Sequence, residues 1–336
     1  LTLRGGRVGK EPQMNPTLPE TTDVELSVGV SSNSIIYRYS YEWLFDLMAE
    51  EEVRYLQLGT FFELYSLPDE YFLRLKEKAG ERGIFISSIF STFRELGGLM
   101  SEDPALRKVT EENYRRLIEV AVLVGSPSAG ASMGGVMRDR LEYRTQGIRM
   151  YIQGMKELMH YAHQCGLEWL TTEPMSCYAE PPCTAQELVM IGEALAGYHH
   201  THPSTTAGFG YCSDISHGWV DEKKHIIEDN LTYFQASFPY LYEFHFKNTD
   251  DIYNKTFGFE PENRDQGIID VGQIRDLLVN GRHRLSRQHI IGYLEHPGPK
   301  LGRDYSDAQL GRLLRESLRH IKSEFLSKKR SCFPCS

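Results

Sequence analysis

"TTAGFGYCSDISHG", residues 205–218, begins as a short apolar run and ends on Asp214 and His217, three residues apart and followed by a glycine. The run has the length and bounding turn residues of a buried β-strand. An aspartate near a histidine is common in ordinary loops, so the meaning of the pair depends on what surrounds it. Seven further strand-like runs lie along the chain: "ELSVGV" (25–30), "VRYLQLG" (53–59), "GIFISSIF" (83–90), "SPSAGAS" (126–132), "LEWLTTE" (167–173), "LYEFHFK" (241–247) and "HIIGYLE" (289–295). Amphipathic stretches such as "PDEYFLRLKEKAGERG", "TEENYRRLIEVAVLVG", "IRMYIQGMKELMHYAHQCG" and "KKHIIEDNLTYFQASF" separate them, and "SDAQLGRLLRESLRHIKSEFL" follows the last. Several begin on Ser, Thr or Asp and stop at Gly, the usual helix punctuation. Eight repeats of strand then helix predict an α/β fold of the (β/α)8 TIM-barrel type. A doubly wound sheet would place a Gly-rich phosphate loop after its first strand, and "SVGVSSNSI" supplies none.

Composition agrees. The 336 residues fit one large barrel, and 40% hydrophobic with 25% charged residues is ordinary globular usage. Residues 1–22, rich in Gly, Pro, Thr and charge, read as a disordered arm; 23–328 read as the single catalytic barrel and 329–336 as a tail. A formal net charge of −9 argues against a nucleic-acid partner, which would need a basic surface. No apolar run is long enough for a membrane span and no secretory leader is visible, so the expected location is the cytoplasm. The six cysteines are too sparse for a disulfide scaffold, and "CFPC" (332–335) lacks the second half of a zinc site.

Barrel chemistry sits at the C-terminal ends of the strands. Strand five ends in Glu173 and strand six in Asp214; strand seven carries His245, and strand eight ends in Glu295. One carboxylate or histidine at a strand end is usually a cap or a packed core residue. Four on consecutive strands form a mixed oxygen and nitrogen set suited to one six-coordinate divalent ion, Mn2+ first, with Mg2+ or Co2+ as alternatives. His217, a turn beyond Asp214, should face the same cavity. Basic residues cluster on the same rim: Arg94 after strand three, Arg138 after strand four, Lys247 after strand seven, and Lys300 and Arg303 after strand eight. With loop glycines 97, 98, 134, 135, 298 and 302, they suggest a phosphate site, which barrels often build after the last strands.

In "TTEPMS", "CSDISHG", "YEFHFKN" and "IGYLEHPG" the sequence resembles the xylose-isomerase-like barrels, and within them the sugar epimerases of the D-tagatose 3-epimerase type, over residues 24–325. "QGIIDVGQI" (266–274) is also similar to the family's segment between strands seven and eight. The resemblance implies one divalent metal on Glu173, Asp214, His245 and Glu295, a substrate contact from His217, and a homo-oligomer. "GTFFELY", "EPMSCYAEPP", "HFKNTD", "TFGFEP" and "GPKLGRDYSD" look most like the D-erythrulose 1-phosphate 3-epimerase group of erythritol catabolism. One departure stands out: the tagatose-type enzymes carry a substrate-binding arginine soon after the strand-seven histidine, where "HFKNTDDIYN" has Asp251. Either Arg264 replaces it or the substrate is held differently.

A ketose chelated through its carbonyl and the neighbouring hydroxyl has an acidified carbon-3 proton, because the metal stabilises the enediolate. Epimerisation needs proton carriers on both faces of the sugar, and Glu173 and Glu295, at the two ends of the four-strand arc, would serve as both ligands and carriers, as in the family. The expected function is therefore metal-dependent 3-epimerisation of a small sugar or sugar phosphate. A tetrulose phosphate such as erythrulose 1-phosphate is the first candidate. Epimerisation or aldose–ketose isomerisation of a free sugar is the alternative. An abasic-site endonuclease on the same fold would need histidines at strands two and three, where "GTFFE" and "SIFSTFRE" have none.

Overall fold

The computed structural model describes residues 23–36, 38–59, 62–91, 94–298 and 308–327, without the side chains of 62, 63, 94 and 95. The N-terminal arm, the CFPC tail, Lys300, Gly302 and Arg303 lie outside the described residues.

Eight strands form the centre: β1 (Glu25–Ser31), β2 (Tyr55–Gly59), β3 (Phe85–Ser91), β4 (Ser128–Ser132), β5 (Trp169–Glu173), β6 (Gly208–Asp214), β7 (Leu241–Phe246) and β8 (His289–Leu294). Each pairs in parallel with its neighbours and β8 returns to β1, closing the barrel that the eightfold repeat predicts. Around it lie α1 (Tyr41–Glu50), α2 (Asp69–Gly80), α3 (Pro104–Val124), α4 (Arg144–Cys165), α5 (Ala185–Thr201), α6 (Asn230–Ala236), α7 (Val271–Asn280) and α8 (Leu310–Phe325).

Local chemistry sets the helix ends. Ser40, Asp103, Thr184, Asp229 and Asp270 each accept a backbone N–H from the first turn of α1, α3, α5, α6 and α7. Each such cap contributes roughly 1 kcal/mol. Gly125 and Gly166 end α3 and α4 at φ of 78° and 87°, a conformation that costs glycine little.

The core lies between strands and helices. On α8, Leu310, Leu314, Leu318, Ile321 and Phe325 are buried at spacings of three and four, one continuous stripe. Phe325 meets Phe246 and Phe244 of β7 with ring centroids 4.9 and 5.7 Å apart. Because side chains alternate across a strand, turning Phe244 and Phe246 outward sends Glu243, His245 and Lys247 to the barrel interior. The β6–β7 register skips Tyr242, so that Cys212 pairs with Glu243 and Asp214 with His245. That bulge aligns the two polar rows.

The structure departs from the sequence reading after β6. "KKHIIEDNLTYFQASF" is not one helix: Ile226–Glu228 pairs antiparallel with Trp219–Val220, and α6 begins only after Asp229. The Asp229 side chain caps Thr232 N–H and so fixes the later start. A second short ribbon joins Asn248–Thr249 to Thr256–Phe257 after β7. Among the described residues, no helix is long and apolar enough to cross a membrane.

Candidate active site

At the C-terminal mouth, β5, β6, β7 and the residue following β8 bring Glu173, Asp214, His245 and Glu295 together. One potential ligand atom from each lies within 4.8 Å of all the others. Glu295 still belongs to the barrel, since its N–H donates to Phe246 O at 3.0 Å. Glu173, Asp214 and His245 are buried. Placing three carboxylates this close in a dry site is costly unless positive charge compensates them.

Two cations answer that demand. His245 Nδ1 lies 3.1 Å from Glu173 Oε1 and 3.4 Å from Glu295 Oε2. Burial works against a charge on His245, but Glu295 and Glu173 outweigh it and raise its pKa to about 9. Ligation through Nδ1 would release the proton held there. Lys247 Nζ sits 2.8 Å from Asp214 Oδ2 and 2.6 Å from Glu295 Oε2. Despite burial, these carboxylates hold the lysine well above its usual pKa. Burial likewise opposes ionisation of Asp214 and Glu295, yet Lys247 and the nearby histidine charge hold both carboxyls below their ordinary values.

The donor set fits a divalent cation. Asp214 Oδ2 and Glu295 Oε2 are buried and converge on Lys247 Nζ, at 2.8 and 2.6 Å, so positive charge already sits where two of the carboxylates meet. The other oxygen of Asp214 is already committed, accepting Ser216 N–H at 2.8 Å and Ser216 Oγ at 2.7 Å. Three carboxylates and one imidazole suit a hard-to-borderline ion better than a soft one. The residues could therefore hold such a metal, with Asp214 presenting a single oriented oxygen.

His217 reaches the same place. Its Nδ1–H donates to Pro174 O at 2.7 Å, which leaves Nε2 pointing at Asp214 Oδ2, 3.5 Å away. The basic rim fares differently. Lys247, expected as a phosphate contact, lies among the four acid and imidazole groups instead, because it follows His245 by two residues on the same strand face. Arg138 is 74% exposed and 4.0 Å from Glu180, while the side chain of Arg94 falls outside the description. Arg264, the candidate replacement for the missing arginine, contacts Asp265 at 3.3 Å and His320 of α8 at 3.5 Å.

The loop glycines also have another task. Gly134 has φ of 80°, and a Cβ there would fall 2.1 Å from Gly97 O; one at Gly135 would fall 2.5 Å from Ala179 O. These residues let the loops after β3, β4 and β5 lie backbone against backbone.

Beneath the mouth is a polar layer set back from the strand ends. Gln57 of β2 accepts His245 Nε2–H at 2.9 Å, and Glu243 accepts Ser88 Oγ–H at 2.9 Å and Thr171 Oγ1–H at 3.3 Å. Burial pushes the Glu243 carboxyl up. The signal was available: "YEFHFK" alternates polar and aromatic residues, and Gln57 interrupts an apolar run.

A model of the xylose isomerase-like TIM barrel family matches residues 45–323. No curated protein matches the sequence at a significant level. Similar solved structures include a D-psicose 3-epimerase from Clostridium cellulolyticum H10, crystallised with D-tagatose (17% identity, 89% of this chain and 99% of that one, TM-score 0.65). Also similar are a 3-keto-D-glucoside 4-epimerase from E. coli (13%, 89% and 100%, TM-score 0.59) and an L-ribulose 3-epimerase (12%, 91% and 95%, TM-score 0.61). At these identities the likeness speaks to the fold.

Proposed function

Because the chain belongs to the xylose isomerase-like TIM barrel family, we propose that it is a metal-dependent sugar epimerase acting at carbon-3 of a short ketose or ketose phosphate. The observation that carries this reading is the set of buried Glu173, Asp214 and His245 with partly buried Glu295, its ligand atoms within 4.8 Å of one another. The three epimerases it resembles in fold support the same class of reaction.

In this proposal those four residues hold one divalent ion, Mn2+ first, which supplies Lewis-acid stabilisation of the charge that develops on the substrate carbonyl oxygen. The rest falls to the side chains. Glu173 or Glu295 takes the carbon-3 proton, and the electron pair of that C–H bond moves into the carbon-2 to carbon-3 bond. The other glutamate, protonated, returns a proton to the opposite face and inverts the centre. Asp214, fixed by Ser216, does not move during this exchange. His217, tethered to Pro174 O, and Lys247, partly buried beside Asp214 and Glu295, orient the substrate hydroxyls.

A tetrulose phosphate such as erythrulose 1-phosphate is the proposed substrate, with Lys300 and Arg303 as its first phosphate contacts and Arg138 and Arg94 as further ones. The sequence order supports this, since "GPKLGRD" follows β8. A free ketose is the second reading, favoured by the pairing of Arg138 with Glu180. The enzyme is proposed to be a homo-oligomer, which sedimentation velocity tests. The deciding experiment is turnover of tetruloses, pentuloses and their 1-phosphates with Mn2+ and with chelator. Epimerisation of one of them, lost on chelation, supports the proposal; full turnover without metal refutes it.

A further inference from the structure

We propose that Gln57, on the opposite side of the barrel from the four acid and imidazole groups, is a positioning residue that fixes the orientation and tautomer of His245 for metal binding. The inference rests on the metal reading of the site and concerns a residue outside the four strands that form it.

His245 is fully buried on β7, and its two ring nitrogens face different surroundings. Nδ1 looks toward Glu173 Oε1 and Glu295 Oε2. Nε2 looks down into the barrel and donates to Gln57 Oε1 at 2.9 Å. Cys212 Sγ lies 3.2 Å from the same nitrogen, but a thiol sulfur is a weak acceptor and the amide oxygen a good one. An imidazole with Nε2 holding its hydrogen must use Nδ1 as the lone-pair nitrogen, on the side of the carboxylates. Such partners orient a ligating histidine and raise its basicity.

The amide is itself held the right way round. Gln57 Nε2 lies 3.5 Å from Glu243 Oε1 and 3.5 Å from Cys212 Sγ, so its donor end faces acceptors. Flipping it would set the NH2 against the Nε2–H of His245 and the oxygen against Glu243. Glu243 Oε1 is anchored by Ser88 at 2.9 Å. The amide thus passes a fixed polarity from the barrel floor to the imidazole. A β2–β3 irregularity lies beside it, where Leu56 pairs with Ile86 and Gln57 with Ser88. Skipping Ser87 brings Gln57 and Ser88 level, both facing Glu243.

The test is Mn2+ affinity, measured by competition with a chelator, in wild type, Gln57→Leu and Gln57→Asn. Loss of such a supporting group costs about 10–100-fold in metal affinity. Both variants should fall in that range, and the Co2+-loaded proteins should show a shifted visible spectrum that reports altered ligation. Asn, polar but one methylene short of His245, keeps the test alive should the Leu variant fail to fold. Weakened affinity in a variant whose thermal midpoint in chelator matches wild type supports positioning. Wild-type affinity and spectrum in a folded variant would overturn it while leaving the metal reading intact. A wild-type protein that binds no Mn2+ would overturn both.

Discussion

Replacing Asp214 with Asn tests the site at its most committed ligand, because its two carboxylate oxygens have different partners and one amide cannot serve both. Asp214 Oδ1 accepts two hydrogen bonds from Ser216, and Oδ2 faces Lys247 and His217. An asparagine has one acceptor. If its oxygen keeps the Ser216 bonds, the NH2 turns toward the other ligands; if it turns the other way, both Ser216 bonds are lost, at roughly 1 kcal/mol each. In the first arrangement the NH2 also faces the Lys247 ammonium and loses a charge-assisted contact of about 1.5–3 kcal/mol, so each arrangement gives up a comparable amount. Either way, the group that faces the metal no longer carries a charge. A charge-assisted contact contributes about 1.5–3 kcal/mol, so Mn2+ affinity should fall by roughly 10–150-fold. Lys247 keeps Glu295 at 2.6 Å, so the lysine is not left without a counter-charge and the barrel should stay folded. Chelator competition gives the affinity, circular dichroism the fold, and turnover at saturating Mn2+ the residual activity. A folded Asp214→Asn protein that binds Mn2+ as tightly as wild type would refute the assignment of this oxygen.

Turnover in heavy water should place deuterium at carbon-3 of the product; retention of the original hydrogen would point to hydride transfer instead of the Glu173 and Glu295 exchange. Lys300→Ala and Arg303→Ala should each raise KM for a ketose 1-phosphate by about tenfold or more, a loss set by one charge-assisted contact, and leave the free ketose unaffected. Equal losses for both substrates would rule these residues out as phosphate contacts. Gly134→Ala should lower the thermal midpoint measurably, because the new Cβ falls 2.1 Å from Gly97 O at a φ of 80°. An unchanged midpoint would show that the two loops can separate without cost.

The eightfold alternation and the four strand-end residues were legible because both rest on short-range signals: strand-like runs, cap residues and the last polar residue before each loop. Glu173, Asp214, His245 and Glu295 stand on neighbouring strands, so topology alone brings them together. Gln57 was not legible in the same way. Its contact to His245 spans 188 positions and crosses the barrel interior, and a lone glutamine in an apolar strand carries no sign of its partner. Lys247 was visible as a charge but misplaced, since a rim residue and an interior residue differ only by which side of the strand they occupy. The ribbons after β6 and β7 were lost for a related reason: each is two or three residues long, too short for a period to declare itself.

All four acid and imidazole residues come from β5 to β8 or the residue just beyond. The described residues of β1 to β4 touch them through Gln57 and through Phe90, which meets the His245 ring edge-on at 5.3 Å. On the proposed function, the barrel therefore divides into a half that carries the chemistry and a half that does not. Libraries in the loops after β1 to β4, kept clear of the Gly97–Gly134 contact, would then vary the proposed sugar specificity while leaving the four ligands in place. The same diversity placed after β5 to β8 would fall beside the four acid and imidazole groups themselves.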